Sequence, residues 1–184
     1  YLMKFKVFKF KKVKSTNKTA VRIIKNSSYK YGMVVADTQT EGRGRYGKKW
    51  ISYNGNLFVS FFHELKGINV NLSSLTKINC LLVKKLLTNY YKKSILFKKP
   101  NDLLIKKKKI SGIFQEIISV SNNKFLIIGI GLNLVKSPKI KSYLTTNLFE
   151  LTNKSINKRE IENKLKLIFE KKLKKMYNFN NKLA

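Results

Sequence analysis

Glu41-Gly42-Arg43-Gly44-Arg45-Tyr46-Gly47-Lys48-Lys49-Trp50, and the segment Ser52-Tyr53-Asn54-Gly55-Asn56-Leu57-Phe58-Val59-Ser60-Phe61-Phe62 after it, decide between the folds open to this chain. The spacing Gly42-x-Gly44-x-x-Gly47 fits a dinucleotide-binding fingerprint. That fingerprint needs a strand before it, a helix opening from it, and an acid about 20 residues on. Met33-Val34-Val35-Ala36 supplies the strand. Beyond the glycines, Ser52-Tyr53-Asn54-Gly55 is turn chemistry, and Asn56 to Phe62 is an aromatic, β-branched strand, not a helix. A doubly wound nucleotide fold is therefore excluded. A kinase-type glycine loop would sit in such a hairpin, but no His-Arg-Asp or Asp-Phe-Gly set comes after it. The segment therefore reads as a loop between two strands. It carries three of nine glycines, two of four arginines and the only tryptophan. Arginine's planar fork grips phosphate or carboxylate at two points, which lysine cannot copy. Glycines beside it let backbone N–H groups approach an anion.

The rest of the chain is lysine-rich: 36 of its 40 cationic residues are Lys, against 9 acids, for a net charge of +31. Such a charge suits a polyanionic partner, nucleic acid or an acidic protein. The lysines run from end to end beside heavy use of asparagine and isoleucine, which reads as a residue bias and not a binding stripe. At 184 residues the expectation is one domain with a sizeable core. No run of 18 apolar residues offers a membrane span, and Tyr1–Val13 alternates like a strand rather than a signal peptide. The lone Cys80 cannot form an internal disulfide and fits a reducing cytoplasm. The lone His63 has no companion for a metal site.

The pattern predicts strands at Phe5–Val13, Gly32–Gln39, Asn56–His63, Ser94–Lys98, Leu103–Ile105, Ile110–Val120 and Phe125–Leu134, with a four-lysine turn before Ile110. A short helix capped by Ser15 or Thr16 is expected to bury Val21, Ile23 and Ile24. A second helix runs from Asn71 to about Tyr90 and a third over Ile156–Met176, with the last eight residues frayed. The short connections predict an α+β fold: a mixed, largely antiparallel sheet with helices packed on one side.

Four more segments share the chemistry of the glycine–arginine loop. Ser15-Thr16-Asn17 offers hydroxyls and an amide at a strand-to-helix turn. Lys98-Lys99-Pro100-Asn101-Asp102 and Lys109-Ile110-Ser111-Gly112 put an acid, a lysine and a glycine on neighbouring strands. Gly129-Ile130-Gly131-Leu132-Asn133 ends a strand with two glycines. In this order, together with Gln39 through Trp50 and with Lys109 through Glu116, the set resembles the biotin protein ligases. Their patterns are Ser-Thr-Asn, Gln-x-x-Gly-Arg-Gly-Arg-x-Gly-x-x-Trp, Lys-Trp-Pro-Asn-Asp, Lys-x-x-Gly-Ile-x-x-Glu and Gly-x-Gly-x-Asn. The match spans Ser15 to Asn133.

The resemblance implies the catalytic fold shared by biotin ligases and class II aminoacyl-tRNA synthetases, as a single domain over residues 1–184. It implies ATP and biotin as substrates, with Mg2+, in two steps: biotin is activated as biotinyl-5′-adenylate, then passed to a lysine of a biotin carboxyl carrier protein. By residue, it implies that Lys109 contacts the carboxylate and α-phosphate, and that Arg43 and Arg45 hold anionic groups with the N–H groups of Gly42 and Gly44. Trp50 walls the biotin pocket. Ser15, Thr16, Asn17 and Gln39 bind the ureido ring and nearby groups. Gly112, Gly129 and Gly131 leave room for the ligand, and Asn133 faces the adenylate. Asp102 orients the acceptor lysine or helps place magnesium. Lys99 stands where the family usually has tryptophan, and Glu41 where a small residue is commoner. An N-terminal winged helix is not expected, which argues against specific DNA binding, and a clear C-terminal β-barrel is not expected, which leaves open how the site closes over ATP and docks the carrier. The expectation is a cytoplasmic monomer or homodimer without membrane contact. Lipoate ligases share the fold but lack the Gly-Arg-Gly-Arg loop. A lipoate or octanoyl transferase is the alternative enzyme, and a basic nucleic-acid-binding module the alternative without turnover.

Overall fold

The computed structural model of the chain describes residues 4–66 and 71–180. Strands β1 (Lys6–Val13), β2 (Tyr31–Gln39), β3 (Leu57–Glu64), β4 (Leu96–Lys98), β5 (Asp102–Ile105), β6 (Lys108–Val120) and β7 (Asn123–Leu132) join in one sheet. Its order is β1-β2-β3-β7-β6-β5-β4. Only β1 and β2 run parallel; all other neighbours are antiparallel. The helices are α1 (Thr16–Asn26), α2 (Leu72–Leu87), α3 (Leu148–Thr152) and α4 (Lys158–Asn180). The expected strands are all present, with their ends close to those that the sequence pattern predicts. Residues 177–180 continue α4, where the sequence suggests a frayed tail. Residues 181–184 and Tyr1–Met3 lie outside the described residues.

The helices do not lie on one side, and the reason is legible in β3. All eight of its residues are buried, as in a strand covered on both faces. Alternate side chains point opposite ways. Val59 and Phe61 join Met33, Val35, Ile128 and Ile130 beneath α2 and α4, whose Leu75, Val83, Leu165 and Phe169 fill the same cluster. The rings of Phe61 and Phe169 stack with centroids 4.2 Å apart. Phe62, Val34 and Ile127 face the other way, against Ala20 and Ile24 of α1. Val21 and Ile23 only flank this second cluster, while Thr16, Asn17 and Thr19 are buried. The apolar stripe of α1 is short because its first turn serves a polar purpose.

Local chemistry sets the remaining boundaries. Asn71 caps α2 by accepting from Ser73 N at 2.8 Å, and Asn147 caps α3 through Glu150 N at 2.8 Å, each relieving an orphan donor of the first turn. The α3 turn escapes a reading of the sequence because five residues show no helical period. Ser121 and Asn122 both take positive φ in the β6–β7 hairpin, the backbone that a two-residue turn between twisted strands requires. Lys106 and Lys107, at φ 49 and 62, do the same between β5 and β6.

Candidate functional site

The face that carries α1 is open beyond the helix, and glycine makes it so. Gly112 on β6 pairs with Gly131 on β7. A Cβ on Gly131 would lie 2.3 Å from Trp50 Cε2, and one on Gly112 2.9 Å from Trp50 Cζ3. The indole thus lies on a cross-strand pair of bare backbones. Gly129, next on the same face of β7, would put its Cβ 2.3 Å from Asn17 Oδ1. Large side chains at these three positions would fill the space that Trp50 and Asn17 occupy.

This floor opens into a cavity of about 280 Å³. Of the residues singled out in the sequence, Ser15, Asn17, Gln39, Arg43, Gly44, Arg45, Trp50, Asp102, Lys109, Gly112, Gly129 and Gly131 line it. Segments far apart in sequence, from Ser15 to Gly131, therefore meet at one place. Thr16, Gly42 and Asn133 do not line it. Thr16 stands behind the wall: its N–H donates to Gln39 Oε1 at 2.8 Å, and its hydroxyl to the same oxygen at 3.1 Å. Gln39 in turn donates to Ser52 Oγ at 3.2 Å, so its amide orientation is fixed. Ser60 donates to Asn17 Oδ1 at 2.6 Å, and Asn17 Nδ2 donates to Glu116 Oε1 at 3.0 Å. Ser15 is the N-cap of α1 but makes no side-chain capping bond, and it sits on the cavity wall. Asn133 is buried and donates to Thr146 O at 3.1 Å, which anchors the segment before α3.

The glycine–arginine loop is a small closed hairpin. Trp50 N donates to Gly42 O at 2.9 Å, and Gly44 N to Lys48 O at 2.7 Å. The N–H of Gly44, expected to face an anion, is thus taken by the loop itself. A Cβ on Gly42 would meet Trp50 O at 2.4 Å, so closure of this hairpin requires glycine here. Tyr46 at the tip has φ 53 and Gly47 φ 71. Arg45 lies over the Tyr46 ring, 4.9 Å from its centroid, and donates to its hydroxyl at 3.0 Å. Arg43 lies over Phe114 at 5.4 Å and 3.7 Å from Glu116 Oε2.

Lys109 is a half-buried cation of the site. Its ammonium is 2.8 Å from Asp102 Oδ1 with 17% of its side chain exposed, and it lies 5.4 Å from the Trp50 ring and 5.2 Å from that of Tyr143. Two aromatic faces and one carboxylate surround it. Burial and the Asp102 charge push the Tyr143 phenol above its ordinary range, which keeps it a neutral hydrogen-bonding group. Asp102 is the one carboxylate among the described residues of the cavity wall, facing Arg43, Arg45, Lys48, Lys49, Lys98, Lys99, Lys107 and Lys109. This arrangement can hold an anionic ligand against an apolar, aromatic wall. The described residues hold no cluster of three metal-ligating His, Cys, Asp or Glu.

Phe114, Tyr143 and Lys107 line the cavity and Ser60 backs it through Asn17 without having been given a site role from the sequence, and Glu116, the last residue of the Lys109-to-Glu116 motif, supports Asn17 and Arg43. Glu116 has a signal: it stands four residues after Gly112 on a strand and so shares its face. Tyr143 has none, lying in an irregular segment beyond the last motif.

The pattern of the biotin/lipoate A/B protein ligase family matches residues 9–133. The bifunctional ligase/repressor BirA of Bacillus subtilis (strain 168) is 30% identical over 165 residues, 86% of this chain and 50% of that protein. The biotin protein ligase from Aquifex aeolicus in complex with biotin and ATP has a TM-score of 0.79 at 32% identity, covering 92% of this chain and 71% of that one. The Leishmania major biotin protein ligase in complex with biotinyl-5-AMP has a TM-score of 0.77 at 25% identity, over 90% of this chain and 73% of that one. The chain spans about half the length of the Bacillus proteins it matches. The sheet is the mixed one of the synthetase-like catalytic fold, as the motifs implied, and the chain belongs to the biotin/lipoate A/B protein ligase family.

Proposed function

We propose that this chain activates biotin with ATP and transfers it to a lysine of a biotin carboxyl carrier protein. The observation that carries the reading is the glycine-floored cavity, with the Trp50 indole lying on Gly112 and Gly131 and the Lys109 ammonium beside it. A flat slot that ends at a held cation, with amides at one wall, suits a bicyclic acid with a polar ring, an apolar chain and a carboxylate that is to react. Among the relatives, the Aquifex aeolicus enzyme holds biotin and ATP in a structure of the same fold.

In the first step a carboxylate oxygen of biotin attacks the α-phosphorus of ATP. The α–β bridging oxygen leaves with its electron pair as pyrophosphate. Positive charge fixed at Lys109 and Arg43 offsets the charge that gathers on the α-phosphate oxygens, without reorganisation at the moment of reaction. In the second step a carrier lysine attacks the anhydride carbonyl and AMP leaves. Asp102, 2.8 Å from Lys109, orients that ammonium and receives the proton of the incoming amine. Magnesium enters as part of the nucleotide substrate, through phosphate oxygens. Asn17, Gln39 and Ser15 supply the polar contacts for the ligand's ring. No helix of the described residues is long and apolar enough to cross a membrane. We place the reaction in the cytoplasm, where biotin carrier domains and ATP meet.

The test is incubation of the chain with biotin, magnesium and ATP labelled at the α-phosphate, in parallel with lipoate and octanoate. The expected result is labelled biotinyl-adenylate with biotin and little product with the others. Adenylate from lipoate or octanoate alone would make this a lipoate-type enzyme. No adenylate from any acid would remove the ligase reading.

A further inference from the structure

A second cavity, of about 570 Å³, adjoins the first and shares Arg45, Tyr46, Lys99, Pro100, Ile113 and Phe114 with it. The biotin ligase reaction assigns nothing to it. Its polar lining is one-sided. Arg45, Lys77 and Lys99 supply three cations, and no acid among the described residues lines it. None of the three pairs with a carboxylate within 4 Å, although every one of the chain's nine acids has a cation partner. The chamber thus gathers three cations without a carboxylate to offset them. Gln115 also lines the chamber. Its Oε1 accepts from Asn79 Nδ2 at 2.8 Å, while its buried Nε2 has no partner. A buried N–H without an acceptor is costly, since its hydration is lost without replacement. Cations and an orphan donor together ask for an acceptor-only, anionic ligand.

Lys99 lines both cavities. Its turn is held against β6 by paired contacts: Asn101 Nδ2 donates to Ile113 O at 2.7 Å and Ile113 N donates to Asn101 O at 2.9 Å. The motif resemblance expects tryptophan at this position, a bulky group without charge. Lysine puts a cation there. The walls beside it, Phe97, Ile113 and Phe114, are apolar, which lowers the local dielectric and strengthens each ion pair that forms.

We propose that this chamber receives the inorganic pyrophosphate released in the first step, with Lys99 as the cation that sets its affinity and Arg45, Lys77 and Gln115 Nε2 as its partners. The assignment rests on the adenylation reading of the neighbouring site: a highly charged product must leave the α-phosphate before the acceptor lysine enters. A neighbouring cationic chamber removes it from the reaction path without opening the adenylate to water. The same affinity makes pyrophosphate a strong product inhibitor.

Titration calorimetry of the full chain with sodium pyrophosphate at fixed ionic strength tests this, with biotin binding measured in parallel. Lys99→Trp should weaken pyrophosphate by roughly tenfold, the loss of one charged hydrogen bond. Lys77→Ala should weaken it several-fold with biotin affinity unchanged, because Lys77 lines the second cavity alone. Lys85→Ala, an exposed α2 lysine away from the chamber, should leave pyrophosphate binding nearly unchanged. In adenylate formation, Lys99→Trp should raise the inhibition constant of pyrophosphate by the same factor. Equal pyrophosphate affinity in Lys99→Trp and the parent, with biotin bound normally, would overturn the chamber and leave the ligase reading intact. So would an equal loss in Lys85→Ala. Tight pyrophosphate binding by a chain that makes no adenylate would overturn the product role together with the ligase reading.

Discussion

The two faces of this sheet are built from the same strands and obey opposite rules. Ile128 and Gly129 are neighbours on β7. Ile128 is 2% exposed and packs in the large cluster under α2 and α4. Gly129 lies under Asn17 on the face of α1, where no side chain fits. Strand parity separates the two faces: one is filled throughout with branched and aromatic groups, while the other is packed under α1 and, beyond that helix, emptied by glycine and lined with amides and cations. A single-residue step along β7 crosses from one regime to the other.

Substitutions at adjacent parities should divide stability from ligand binding. Ile128→Ala leaves a cavity in the filled face and should cost about 2–5 kcal/mol of stability, while adenylate formation per folded molecule persists. Gly131→Ala adds a methyl group where three indole atoms lie within 2.7 Å. It should lift Trp50, raise the biotin concentration needed for half-saturation by roughly tenfold or more, and cost little stability because Trp50 is only half-buried. Urea unfolding and biotin titration of both variants check the pair. Loss of stability in Gly131→Ala with normal biotin binding would break the division.

His63 belongs to the filled side by its place on β3, and burial pushes its imidazole down to about 4. The unfolded chain takes up a proton near pH 6.5, the folded chain only near 4. Stability contributed by the neutral ring is therefore complete above pH 6.5 and declines as pH falls from there to 4, by about 3 kcal/mol in all. Denaturation midpoints across that range should slope steeply in the parent and less in His63→Gln.

On the open face, Lys109→Ala should reduce adenylate formation by about 10²-fold with the denaturation midpoint nearly unchanged, since the lysine fills no core space. Single-turnover kinetics measure it; near-parental turnover would remove Lys109 from the reaction. The smallest effect separates the two arginines. Arg43 is backed by Phe114 and Glu116, whereas Arg45 rests on the exposed Tyr46. Arg43→Lys should therefore speed adenylate release by about tenfold and Arg45→Lys by less. Equal off-rates would mean that the loop contributes charge alone.

The ordered motifs make much of the site readable, because each pairs a glycine with a polar group on a strand end. The period of two in β6 and β7 sets which glycines share a floor. The features that escape reading depend on packing between distant segments. The unbroken apolar run of β3 hints at the two-sided cover of the sheet, yet the short connections suggest helices on one side. Thr16 turns from ligand contact to support once its bonds to Gln39 are seen, and Gly42 proves necessary to closure of the hairpin. Asn133 sits behind the wall because its amide is needed at Thr146. Lys107 lines the cavity from the four-lysine turn that the pattern predicts, but the left-handed backbone of that turn is not legible in the sequence, since lysine seldom adopts it.

Trp50 has one consequence beyond chemistry. It is the chain's sole tryptophan, it closes the glycine–arginine hairpin through Gly42 O, and it lies between two bare strands and an ammonium. All indole fluorescence of this protein therefore originates at one wall of the cavity. Excitation at the red edge of the protein band interrogates that wall alone, without label or background. Ligand arrival, hairpin opening and displacement of Lys109 each alter the dielectric around the same chromophore. The protein thus carries its own optical gauge of occupancy, and a stopped-flow trace reads the site in real time.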